Sequence, residues 1–99
     1  MLFAIICQDN PGSLHGRQQA RPAHLTRLED LKRQGRLLLA GPFPAIESNT
    51  PGDAGFTGSL IVAEFASLAD AEQWAAADPY HAEKVYRSVT IKPFRHVLP

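Results

Sequence analysis

One cysteine, Cys7, in 99 residues excludes an internal disulfide, and no Cys/His cluster has the spacing of a structural zinc site. Excess charge of either sign is missing: ten Lys/Arg balance ten Asp/Glu. A nucleic-acid binder that works by phosphate neutralisation should be basic, so none is expected as partner. No apolar run approaches the ~20 residues that span a bilayer, which argues against a membrane protein. Met1 to Cys7 is apolar but lacks a basic leader and runs into Gln8-Asp9, so it does not read as a signal peptide. Repeats, low-complexity tracts and linkers are absent. Residues 52 to 58 have the glycines of a phosphate cradle but no following helix or lysine. What is present is 44% hydrophobic and 20% charged, ordinary for a globular chain. Together these features predict one small cytoplasmic domain over residues 1–99, for which self-association is a route to more buried area.

Hydrophobic pattern and turn chemistry divide the chain into six elements. Leu2 to Cys7 is a near-continuous apolar strand, closed by Asp9-Asn10-Pro11-Gly12. A short opening turn around Ser13 to Gln19 precedes the main helix. That helix is expected to begin near Arg21-Pro22, because proline suits a first turn. Leu25, Leu28 and Leu31 recur at helical spacing, and Gly35 reads as the residue after the C-cap. Arg36 to Ala40 is a second strand, stopped by Gly41-Pro42. The connection from Phe43 to Thr57 is long, and loops of that length are often functional. Ser59 to Phe65 is the third strand. Ser67-Leu68-Ala69-Asp70 fits a capping box and opens a second helix that carries Trp74 and ends at Asp78-Pro79. Trp74 and Leu68 are expected in the core. Val85 to Phe94 is the fourth strand.

The order β-α-β-β-α-β is that of an α+β, ferredoxin-like split βαβ domain. Strands one and three then sit in the centre of an antiparallel sheet, with both helices on one face. Both central strands are apolar on both sides, whereas a sheet with one wet face should alternate. The uncovered face is expected to pack against a second copy in a two-fold dimer.

Topology also predicts where polar groups meet. Asp9, Arg21, His24, Gly41-Pro42, the long loop, Ser59 and Asp78 all fall at one edge of such a sheet. Arg21, His24 and Leu28 follow the i, i+3, i+7 pattern, so His24 should face inward. A structural histidine bonded to backbone would have the same pattern. Arg21 reads equally as a surface residue or an anion anchor. Asp78 opposes the dipole of the helix it ends, although Asp-Pro is also a common turn. Asp9 fits a cap for the opening helical turn. Ser59 and Gly41 could simply permit close backbone approach. His15, His81 and His96 have no ligand spacing and should face solvent, and Cys7 reads as a small buried hydrophobe.

Several short runs, taken together, resemble the YciI family: Arg21-Pro22-Ala23-His24-Leu25, residues 35 to 42, Ala-Gly-Phe-Thr-Gly-Ser at 54 to 59, Ala-Asp-Pro-Tyr at 77 to 80, and Ile91-Lys92-Pro93-Phe94. The resemblance covers essentially the whole chain. It implies a dimeric α+β barrel and a histidine–aspartate pair proposed as catalytic. The Arg-x-x-His run carries the histidine to His24. The Asp-Pro-aromatic run carries the aspartate to Asp78, with Asp9 as second candidate. It also implies kinship with a dehydrochlorinase of chlorinated-aromatic breakdown, while muconolactone isomerases share the fold.

Two classes of function follow. One is a lyase or isomerase without cofactor or metal, moving protons on a small polar cyclic or acidic metabolite. His24 would be general base or acid, Asp78 would orient its ring, and Arg21, with Asp9, Gly41 and Ser59 nearby, would bind substrate. The other is a homodimer that binds a small ligand without turnover, or one whose polar edge residues only satisfy one another.

Overall fold

The computed structural model describes residues 1–99. The elements are β1 (Leu2–Asp9), α1 (Leu14–Arg33), β2 (Leu37–Pro44), β3 (Phe56–Glu64), α2 (Leu68–Ala76), α3 (Pro79–Ala82) and β4 (Tyr86–Phe94), with a single 3-10 turn at Gly52–Ala54. Every strand pair is antiparallel and the order is β2-β3-β1-β4, so β1 and β3 are central. The helices cover one face, which is the ferredoxin-like α+β fold.

Alternation along the strands decides which side chains meet the helices. Phe3, Ile5 and Cys7 of β1 and Ile61 and Ala63 of β3 point to the helical face and are buried. Ala20, Leu28 and Leu31 of α1 and Ala71 and Ala75 of α2 close over them. Burying each large aliphatic side chain here stabilises the fold by about 1.5–3 kcal/mol. The other face carries Ile6, Leu39, Phe43 and Phe94, which are 38–46% exposed. Leu60 and Val62 lie beside Ile6 and Leu39 in register.

Several sequence expectations need correction. First, α1 does not begin at Arg21-Pro22; it runs unbroken through Pro22. Its buried residues Arg17, Ala20, His24, Leu28 and Leu31 form one stripe at spacings of three and four. Packing of that stripe outweighs the local cost of a proline on the exposed side. Gly35 does follow the C-cap, with φ +71°, and the last turn closes through the Arg36 N–H to the Leu31 carbonyl.

Second, Gly41-Pro42 does not stop β2. The strand continues to Pro44, with Pro42 opposite Ser59 and Phe43 opposite Gly58. β2 is an edge strand, one of the few places in a sheet where proline is tolerated. The loop that follows therefore spans only residues 45–55. Third, Asp78 does not lie unfavourably at the end of α2. It is the N-cap of α3, and Pro79 takes the first helical position. Ser67 caps α2 through the Asp70 N–H, as its motif predicts. Leu68 is exposed, however, and Trp74 only half buried against Phe65.

Candidate active site

The upper part of the α1 stripe places two polar side chains, His24 and Arg17, inside the protein. A buried polar group needs a partner, and a buried charge needs one more strongly. Each has found a carboxylate from a different element.

His24 Nδ1 lies 2.9 Å from both carboxylate oxygens of Asp78. Asp78 is only 3% exposed, and its Oδ1 also accepts the Tyr80 N–H at 2.9 Å, so the carboxylate is fixed by the turn it caps. The Tyr80 ring stacks on the imidazole with centroids 3.9 Å apart and planes 11° from parallel. The imidazole is thus held by its edge and by its face. His24 Nε2 makes no protein hydrogen bond and is not sealed from the neighbouring cavity.

Arg17 is 5% exposed and faces Asp9 at the end of β1. Nε donates to Asp9 Oδ2 at 2.5 Å and Nη2 to Oδ1 at 3.0 Å, a bidentate pair. Nη2 also reaches the Gly58 carbonyl and Ser59 Oγ, both at 2.8 Å. Burial alone would lower the guanidinium pKa, but the hydrogen bond and charge of Asp9 prevail and hold it above its ordinary value. Asp9 therefore does not cap α1; Ser13, the N-cap, makes no capping bond and its hydroxyl turns to Asp9 instead. Gly58 is required where it stands, since a Cβ there would fall on the Cys7 carbonyl oxygen.

Cys7 and Tyr86 lie beneath this network. Burial pushes the Cys7 thiol up to about 12. It also raises the Tyr86 hydroxyl, which sits beside Ser59 and Cys7 with no hydrogen bond of ordinary length.

Between α1, β2, β3 and α3 lies a cavity of about 430 Å³. Its walls include Arg17, Arg21, His24, Leu25 and Leu28 from α1, Ala40, Gly41 and Pro42 from β2, Ser59 and Ile61 from β3, and Tyr80 from α3. Gly52 and Phe56 bring the loop end to its rim. Arg21 is exposed at the cavity wall, without an ion pair. Asp9 and Asp78 stand behind the wall, each engaged with one cation or ring. Asp78 is thus the neighbour of His24, and Asp9 is that of Arg17. His15, His81 and His96 are exposed, and no three His, Cys, Asp or Glu side chains converge as a metal site requires.

Sequence reasoning missed Arg17 and Tyr80. Arg17 lies seven residues before His24 on the stripe, a signal hidden by starting the helix at Pro22. Tyr80 follows the Asp-Pro turn, and only the turn's reversal into α3 puts its ring against His24.

A sequence profile of the YCII-related domain matches residues 1–95. Protein YciI of Escherichia coli is 57% identical over 98 residues, covering 99% of this chain and all of that protein. A protein of Haemophilus influenzae is 47% identical over the same length and coverage. Among solved structures, 5-chloro-2-hydroxyhydroquinone dehydrochlorinase from Burkholderia phenoliruptrix, in complex with 2,5-dihydroxybenzoquinone, superposes with a TM-score of 0.86 at 30% identity. The match covers 98% of this chain and 96% of that one.

Proposed function

Because the chain belongs to the YCII-related domain family, we propose that its cavity is the site of a proton-transfer enzyme, a lyase or isomerase acting on a small polar cyclic or acidic metabolite. The observation that carries this reading is the His24 imidazole, anchored through Nδ1 to Asp78 while Nε2 opens on the cavity. The similarity to a dehydrochlorinase supports small-molecule chemistry of this kind.

A carboxylate opposite a ring nitrogen accepts, so Nδ1 carries the proton and Nε2 keeps its lone pair. Nε2 removes a proton from the substrate. The electron pair released either expels a leaving group from the neighbouring carbon or takes a proton back elsewhere, giving elimination or isomerisation. Asp78 stabilises the imidazolium formed in between. Arg21 at the wall draws in an acidic substrate group. The reading takes the protein as a cytoplasmic homodimer joined through its open sheet faces.

The test is turnover of hydroxyquinones, including 5-chloro-2-hydroxyhydroquinone, and of unsaturated lactones, read as chloride release or deuterium uptake from D2O. His24→Gln keeps an amide donor for Asp78 and should lower turnover by roughly 10²–10⁴-fold, the worth of a positioned acid–base group. Asp78→Asn should act in the same direction. Binding without turnover in the wild type would instead identify a ligand-binding homodimer.

A further inference from the structure

Two donors on the cavity remain unspent. Arg17 commits Nε and Nη2 to Asp9, Gly58 and Ser59, while Nη1 donates to no protein acceptor and is not sealed by protein. The Tyr80 hydroxyl sits beside the Arg17 guanidinium, from which its oxygen accepts a long hydrogen bond, and its own O–H donates to no protein acceptor. Both residues line the same cavity as His24. Their groups lie close together, since Arg17 Cζ is 5.1 Å from the Tyr80 ring centroid and that ring stacks on the imidazole.

We propose that Arg17 Nη1 and the Tyr80 hydroxyl form an oxyanion site opposite His24, which selects substrates whose ring oxygen becomes or already is an enolate. This rests on the acid–base reading of His24 and names the substrate class for it. As Nε2 takes the proton from carbon, the C–H bonding pair becomes the C=C bond of the enolate. The former carbonyl oxygen takes up the negative charge, and the proton stays on the imidazole. Donors fixed before that charge appears need no reorganisation when it forms. Arg17 is fixed by its pair with Asp9, and Tyr80 by the stack on His24. Burial raises the Tyr80 pKa, which keeps its hydroxyl a donor at neutral pH. The cavity wall offers no carboxylate to repel the anion, because Asp9 and Asp78 are engaged behind it.

The test measures calorimetric affinity for 2,5-dihydroxybenzoquinone, an acidic enol, against its uncharged dimethyl ether. Wild type should prefer the acidic compound by tenfold or more. Tyr80→Phe keeps the stacked ring and should reduce that preference about five- to tenfold, one hydrogen bond's worth. Arg17→Lys keeps a cation beside Asp9 and should do the same. Should the lysine variant fail to fold by circular dichroism, Tyr80→Phe decides alone. His24→Gln should retain the preference. The proposal is overturned if wild type shows no preference, or if Tyr80→Phe matches wild type. It is also overturned if only His24→Gln loses the preference. A preserved preference with no turnover of any compound would retire the acid–base reading and leave the oxyanion site standing.

Discussion

At Cys7 the interior sets a proton's affinity, and the consequence can be measured. Burial raises the thiol from an ordinary 9.0 to about 12 and raises the Tyr86 hydroxyl beside it. A group whose folded pKa exceeds its unfolded value contributes stability that is complete below the unfolded value. That stability drains away as pH climbs towards the folded value. The urea midpoint should therefore hold steady up to about pH 9 and fall above it. Cys7→Ala should flatten part of that fall; an unchanged alkaline slope would show that the thiol is not held protonated. The same scale shows what single residues reveal in a sequence. His24, Ser59 and Gly41 could be placed at one edge from topology, and the structure has them around one cavity. Asp78 could be located but not understood, because its role as a cap depends on a four-residue helix that no periodicity announces. Arg17 and Tyr80 were illegible for a different reason: Arg17 is tied to acceptors on another strand as well as to Asp9, and Tyr80 to a ring stack, and local spacing carries neither. Arg17 to Ser59 is such a link, bridging 42 positions, and His24 to Asp78 bridges 54.

Among the elements, α1 and β2 depart most from their sequence signals, and both through proline. Pro22 falls inside α1 on its exposed side. It removes the N–H that would bond the Gln18 carbonyl, and its ring crowds that turn. The helix survives because residues before and after Pro22 bury side chains on a common stripe. Pro22→Ala should therefore stabilise the protein by about 1–3 kcal/mol, read as a higher urea midpoint. A neutral result would mean that the helix begins at Pro22 after all. In β2, Pro42 and Gly41 read as breakers in isolation, and they are accommodated only because no strand pairs on the outer side. The four strands and the two main helices were legible because their apolar patterns and the Ser67 and Gly35 caps agree with the final packing. The boundaries that failed are those where tertiary burial overrode a local preference.

For the whole molecule, the apolar sheet face opposite the helices is left partly uncovered by its own chain. Ile6, Leu39, Phe43 and Phe94 stay 38–46% exposed there, around the partly covered Leu60. A contiguous patch of that kind favours burial against another surface. The expected outcome is a dimer by light scattering at micromolar concentration, and Ile6→Asp should shift it to monomer or aggregate. A wild-type monomer would contradict the sheet-to-sheet arrangement. A dimer of that kind would leave the helical face free, and each subunit would keep its own cavity. The central claim, that this cavity presents a histidine base oriented by a carboxylate, is tested most directly by long-range ¹H–¹⁵N correlation spectra of histidine-labelled protein through a pH titration. The account predicts that neutral His24 has its proton on Nδ1 and an unprotonated Nε2, and that Asp78→Asn disturbs this tautomer. A neutral His24 protonated on Nε2 would contradict it.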